Sequence, residues 1–247
     1  MRKIQTGQRK RRDQIGWSKV LTPSEQKNFW HYLRGEIRST VNKRFCDVES
    51  VGTRKLILIC DLFFCTGLRE TELAQLRVQD TPFVIGQDVV EIYRGKGNKD
   101  RTIPVSRRLA IELTEYIRKF RPKTMPRHIS RIDISKPMFY SRQGRPYIQK
   151  YVTINEKTNE TKTRIRASTA LYRAIRKTGE HAGITKHIYP HMLRHTFAVN
   201  ALMNGVDIYL LQALMGHSDI TITARYLHLV NAQLRGLGEK LDFTFLG

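Results

Sequence analysis

The stretch Tyr189–His228, YPHMLRHTFAVNALMNGVDIYLLQALMGHSDITITARYLH, carries His191, Arg194, His195, His217 and Tyr226 among apolar residues at helical spacing. Pro190 suits the first turn of a helix, because its fixed φ is helical and its missing N–H is not needed there. On that helix His191, Arg194 and His195 stand at i, i+3 and i+4 and share one face. The same turn holds the positive end of the helix dipole and free N–H groups, so a phosphate is its natural occupant. Two histidines four apart also fit a zinc pair. Against zinc, the cationic Arg194 shares the face, and Met192 stands where zinc hydrolases carry a glutamate. Taken alone, both histidines also read as ordinary packing side chains.

Downstream, Asn204-Gly205 predicts the helix end, with Gly205 as a left-handed stop. Asp207 caps a second helix with Ile208, Leu210, Leu211 and Leu214 on its buried side, and Gly216 ends it ahead of His217. Ser218 or Asp219 opens a last helix on which Ile222, Tyr226 and Leu229 share a face. A tyrosine in such a place is usually a core residue. Its company of histidines and an arginine is what singles this one out.

The chain has 247 residues and 40% apolar content, enough for one large domain with a sizeable core. Lys and Arg total 44 against 22 Asp and Glu, a net +22 that points to a polyanionic partner, nucleic acid before membrane. No run of 18 apolar residues and no signal-peptide pattern occurs, so the expected location is cytoplasmic, at the nucleoid. The three cysteines, Cys46, Cys60 and Cys65, read as reduced and buried, not as a disulfide framework.

Residues 1–21 form an expected basic, flexible N-terminal arm in which Arg9, Lys10, Arg11 and Arg12 are candidate phosphate contacts. Thr22-Pro23-Ser24-Glu25 is a capping box opening a helix that runs to residue 35–43. A helix over residues 53–65 is apolar nearly all round and predicts burial at the domain centre. Thr66-Gly67-Leu68 breaks it, leaving Arg69 at the junction to a third helix over 70–77. Arg69 is either functional or a buried arginine paired with Glu70 or Glu72.

Two β-branched arms, Val89–Tyr93 and Arg101–Val105, flank RGKGNKD and predict a hairpin with Lys96 between two glycines at its tip. The tip lacks Walker spacing and no helix follows directly, which disfavours nucleotide binding; Lys96 reads as a lysine delivering a proton or charge to a DNA phosphate or as an ordinary solvated hairpin lysine. An amphipathic helix follows over 106–121, then a basic loop over 122–136, a short strand at Met138–Tyr140 and a turn at 142–145. Residues 151–166 predict a second hairpin, and Ser168 opens a helix to Ala182. Arg173, Arg176 and Lys177 on that helix, with Lys99 and Arg101 beside the first hairpin, are further candidate DNA contacts.

TGLRETEL around Arg69, GKGNKDRTIPV around Lys96, HMLRHTFA with His191 and Arg194, and LMGHSDITITARYLH with His217 and Tyr226 form a linked set. In order, spacing and local context they resemble the tyrosine recombinases, also called phage integrases, over residues 50–230. The resemblance implies an α+β, mainly α-helical fold with a small antiparallel β-hairpin or sheet at one edge, occupying residues 22–230. It also implies a site-specific recombinase that cuts and rejoins double-stranded DNA through a covalent 3′-phosphotyrosyl intermediate, without cofactor, metal or ATP.

In that chemistry Tyr226 is the nucleophile, and Arg69 and Arg194 clamp the nonbridging oxygens. About one free tyrosine in a thousand is ionised near neutral pH, so a base is needed, and the resemblance assigns it to His191. Lys96 protonates the leaving 5′ oxygen, His217 hydrogen-bonds the phosphate, and Glu72 and His195 support the site. The expected partners are paired DNA sites held by a homo-tetramer, with accessory DNA-bending proteins and no membrane. A core-binding domain usually precedes this fold, and residues 1–21 are too short for one. The basic arm substitutes for it, a partner supplies it, or the chain is a fragment. The hairpin at 151–166 departs from the usual pattern and is expected to add DNA or subunit contacts. The segment 231–247 is expected to dock on a neighbouring subunit or on its own domain. A type IB topoisomerase-like enzyme and a DNA-binding module without catalysis are the competing functions.

Overall fold

The computed structural model describes residues 15–93, 100–121, 133–154 and 161–234. Its elements follow local signals. Helix α1 (Pro23–Leu33) opens on the capping box: the Thr22 hydroxyl accepts from Glu25 N–H, and the Glu25 carboxylate takes Thr22 N–H. It ends at Leu33, just short of the expected 35–43, because Gly35 sits at φ 71° and residues 34–50 run as irregular chain with one bridge, Arg38 to Phe45. Helix α2 (Val51–Thr66) is the central rod, with Leu58, Ile59, Cys60, Leu62 and Phe63 all buried. Burying each such side chain is worth about 1.5–3 kcal/mol before entropy is charged against it.

Gly67 ends α2 at φ 60°, and a Cβ there would lie 2.3 Å from the Phe197 ring. The chain therefore turns in the left-handed region under an aromatic lid, a place only glycine fills. Helices α3 (Glu70–Gln75) and α4 (Pro82–Ile85) follow, then strands β1 (Val89–Ile92) and β2 (Arg101–Pro104), paired antiparallel from Val89↔Pro104 to Ile92↔Arg101. The hairpin tip at 94–99, with Lys96 and Lys99, lies outside the described residues, as do 122–132 in the expected basic loop.

Helix α5 (Arg107–Glu115) continues into a π turn, Tyr116–Phe120, and buries Leu109, Leu113 and Ile117. Met138–Tyr140 is buried as expected but is not a strand. Met138 N–H donates to Leu76 O, Lys55 Nζ donates to Tyr140 O, and only isolated bridges at Pro137 and Tyr140 form. Strands β3 (Ile148–Ile154) and β4 (Thr161–Ala167) make a second two-stranded sheet, longer than the sequence spacing suggests.

Helix α6 (Thr169–His181) leads to α7 (Pro190–Met203), which packs along α2, and to α8 (Ile208–Met215). The expected single last helix is two: α9 (Ile220–Ala224), capped by Asp219, and α10 (Leu227–Leu234). Between them Tyr226 N–H bonds to Thr223 O, a three-residue closure that tightens the backbone and turns the tyrosine inward.

Three further expectations are corrected. Leu210 is 54% exposed, and the buried side of α8 is Leu211 and Met215. Cys65 is exposed and Cys46 only partly buried, although all three cysteines are free. Residues 15–21 are not arm: Ile15, Val20 and Leu21 are buried, Leu21 N–H donates to Thr196 Oγ1, and Lys186 Nζ grips the carbonyls of Trp17 and Val20. Arg9, Lys10, Arg11 and Arg12 lie outside the described residues. Two buried clusters result: a main one around α2, and a second in which Ile15 and Val20 meet Phe197, Leu211, Met215, Tyr226 and Leu229.

Candidate active site

Three arginines converge on the C-terminal end of α8. Arg101 Nε donates to Leu214 O at 2.9 Å, Arg194 Nη2 to Met215 O at 2.7 Å, and Arg69 Nη2 to Gly216 O at 2.7 Å. A helix end leaves its last carbonyls without intrahelical partners and carries the negative end of the dipole. Each of the three carbonyls here is answered by one guanidinium. Gly216 makes this approach possible: its φ is 62°, and a Cβ would stand 3.0 Å from Arg101 Nη1.

Glu72 is the acid that holds the cluster together. Its carboxylate accepts from Arg69 N–H at 2.7 Å and Arg69 Nη1 at 2.8 Å, and from Arg101 Nη1 and Nη2 at 2.9 and 2.7 Å. Burial alone raises a carboxyl's pKa, but the bonds from Arg101 and then Arg69 outweigh it and hold Glu72 at about 2. The pairing partner of Arg69 is thus Glu72, as one sequence reading allowed. Arg101, expected as an outward DNA contact, faces inward with its side chain 11% exposed. Strand parity carried that signal, since Arg101 shares a face of β2 with the buried Ile103.

Arg194 is 4% exposed and donates a further bond to Gly67 O at the end of α2. Burial, then the neighbouring charge of Arg69, pulls its pKa down to about 10, which still leaves it cationic at neutral pH. Its Nη2 meets His217 Nε2 at 3.0 Å, and His217 Nδ1 meets Thr223 Oγ1 at 2.9 Å. Burial, then Arg194, Arg69 and Arg101, drive His217 down to about 3. Against three cations stands one carboxylate, so the basin is electropositive and suited to a phosphate.

Tyr226 is 2% exposed, and its hydroxyl lies 2.8 Å from His195 Nδ1. Burial raises the phenol to about 12 even though Arg194 and Arg225 pull the other way. Burial, then His191 and Arg194, lowers His195 to about 4, so the pair is a neutral phenol on a neutral imidazole. The His191 ring stands 6.4 Å from that of His195, and burial lowers its pKa as well. The structure therefore brings Arg69, Glu72, His191, Arg194, His195, His217 and Tyr226 into one neighbourhood, and adds Arg101 and Thr223. Arg173, Arg176 and Lys177 are exposed along α6, away from this hydrogen-bonded set, with Arg176 paired to Glu180. Among the described residues no group of three or more metal-ligating side chains forms, and no helix is long and apolar enough to cross a membrane.

Known proteins are similar to this chain in sequence and in fold. The chain is 30% identical over 175 residues to tyrosine recombinase XerD of Staphylococcus saprophyticus, a match covering 71% of this chain and 50% of that protein. Against XerD of Staphylococcus haemolyticus the identity is 31% over 177 residues, covering 72% and 51%. The chain thus spans about half the length of the curated relatives it matches. In fold it is similar to the crystal structure of XerA recombinase, with a TM-score of 0.62 at 24% identity over 90% of this chain and 64% of the other. It is similar also to XerH site-specific recombinase bound to palindromic difH substrate, with a TM-score of 0.61 at 20% identity over 88% and 51%. The sequence model of the phage integrase family matches residues 36–233, and with the fold and the arginine-histidine-tyrosine cluster this establishes that the chain belongs to the phage integrase family.

Proposed function

We propose that this chain is the catalytic part of a tyrosine-type site-specific recombinase that cuts and rejoins double-stranded DNA. One observation carries the reading most: Arg69 and Arg194 sit on adjacent carbonyls, while Tyr226 is bonded to the histidine that follows Arg194 on α7. Nucleophile and charge clamp thereby share one scaffold. A hydroxyl attacking a phosphodiester loads negative charge on the nonbridging oxygens, and two fixed guanidiniums stabilise it without a metal.

Tyr226 would bond to phosphorus as the P–O5′ bond breaks, giving a 3′-phosphotyrosyl link and a 5′ hydroxyl. Lys96 on the hairpin tip would protonate the leaving oxygen. His191 would take the phenol proton, and His217 would donate to a nonbridging oxygen. A second strand's 5′ hydroxyl reverses the step, so bond energy is kept and no ATP is needed. The relatives' names, their DNA-bound fold relatives and the basic charge support DNA as partner. Assembly as a tetramer on paired sites, with accessory bending proteins, belongs to the same proposal.

The test uses the protein and Tyr226→Phe with nicked duplexes carrying randomised half-sites as inverted repeats. Denaturing gels are expected to show a protein–DNA adduct for wild type alone. An adduct formed equally by Tyr226→Phe, or by neither protein on any recovered sequence, would overturn the proposal.

A further inference from the structure

The geometry points to Thr223 as a positioning residue that accepts the Nδ1 proton of His217 while Arg194 faces Nε2, and that can donate instead when His217 turns Nε2 to a phosphate. The inference rests on the proposed role of His217 at the phosphate. Arginine has only donors, so the Arg194 Nη2 contact at 3.0 Å makes His217 Nε2 an acceptor. The ring is neutral, since burial among three arginines holds its pKa far below neutrality. Its one proton is then on Nδ1, which donates to Thr223 Oγ1 at 2.9 Å.

That tautomer is the wrong one for binding a phosphate oxygen, which needs a donor at Nε2. Moving the proton from Nδ1 to Nε2 leaves Nδ1 an acceptor, and its partner must change from acceptor to donor. A hydroxyl does both, whereas a carbonyl, carboxylate or ammonium does one only. Thr223 is fully buried, and among the described residues its hydroxyl makes no bond other than the one to His217. Threonine hydroxyls in helices commonly bond back to the carbonyl four residues earlier. This one instead reaches outside its helix to the imidazole. It also stands three residues before Tyr226, so the segment that leads to the proposed nucleophile also holds the ring proposed to grip the phosphate.

The experiment has two arms. Histidine-15N spectra of the free protein are expected to show His217 protonated on Nδ1, with that resonance shifted in Thr223→Val by loss of its acceptor and unchanged in Thr223→Ser. Single-turnover cleavage of a nicked duplex recovered as above, at saturating protein, is expected to fall about 10- to 100-fold in Thr223→Val and less than about 3-fold in Thr223→Ser. DNA affinity is expected to be equal in all three proteins. An Nε2-protonated His217 in the free wild type overturns the inference, as does wild-type cleavage by Thr223→Val. Equal loss in the valine and serine variants also overturns it, because that marks packing and not the hydroxyl. If Thr223→Val fails to fold, the wild-type tautomer decides alone. A wild type that cleaves no DNA would defeat the recombinase reading, and the spectra of the free protein would still report on Thr223.

Discussion

Glu72→Gln tests the arginine cluster quantitatively. The native carboxylate accepts four hydrogen bonds from Arg69 and Arg101 and is 6% exposed, so water replaces little of what is removed. Its pKa falls from an ordinary 4.5 to about 2, which corresponds to about 3 kcal/mol of native-state stabilisation. The neutral glutamine keeps the volume but turns an NH2 toward donors and strands two guanidiniums, for which a loss of about 3–5 kcal/mol is typical. Urea unfolding at pH 7 is expected to show about 3 kcal/mol less stability, or a Tm lower by about 6–12 °C. The pH dependence gives an independent check. A depressed carboxyl contributes fully above its unfolded value and loses that contribution as pH falls through its folded value. The gap between wild type and variant is therefore expected to be constant above pH 4.5 and to close toward pH 2. A Tm within about 2 °C of wild type at neutral pH, or a gap that does not shrink on acidification, would refute the reasoning.

Arg194→Lys is expected to fold, since the charge is kept, yet to lower single-turnover cleavage by about 10²–10³-fold, because one ammonium cannot replace a planar fork reaching Gly67, Met215 and His217. Gly67→Ala places a Cβ 2.3 Å from Phe197 at a φ of 60°. Calorimetry is expected to show a loss of about 2–5 kcal/mol from left-handed strain plus overpacking. Leu211→Ala is expected to cost about 2–5 kcal/mol, while Leu210→Ala, at a site 54% exposed, is expected to stay within about 0.5 kcal/mol in the same denaturation assay.

Sequence reasoning succeeded where one local residue decides the geometry. The Thr22–Glu25 box, Gly67, Gly205, Gly216, Pro190 and Asp207 fixed helix ends because caps and left-handed stops act within a turn. The two hairpins were legible from alternation and turn residues. It failed where a distant partner decides. Leu210 fits an apolar helix stripe, but α8 lies so that Leu211 and Met215 meet the second cluster instead. Tyr226 fits a continuous helix with Ile222 and Leu229, and the break before Leu227 follows from burying its ring beside His195. Spacing and the family resemblance named the parts of the candidate site, but not their wiring. Nothing local tells that Arg101 shares Glu72 with Arg69, that the His nearest the phenol is His195, or that Thr223 answers His217.

The wall behind the phenol is built from both extremities of the described chain. Leu21 bonds to Thr196 across 175 positions, and Ile15 and Val20 share a cluster with Leu229. Loops of that span close slowly, since their entropy must be lost before any contact rewards it. During translation the first of these partners leaves the ribosome long before the last has been made. The pocket around the Tyr226 hydroxyl therefore assembles only after the residues up to Leu229 have been synthesised, so a translation product truncated before α9 would contain all three arginines of the cluster but not Tyr226.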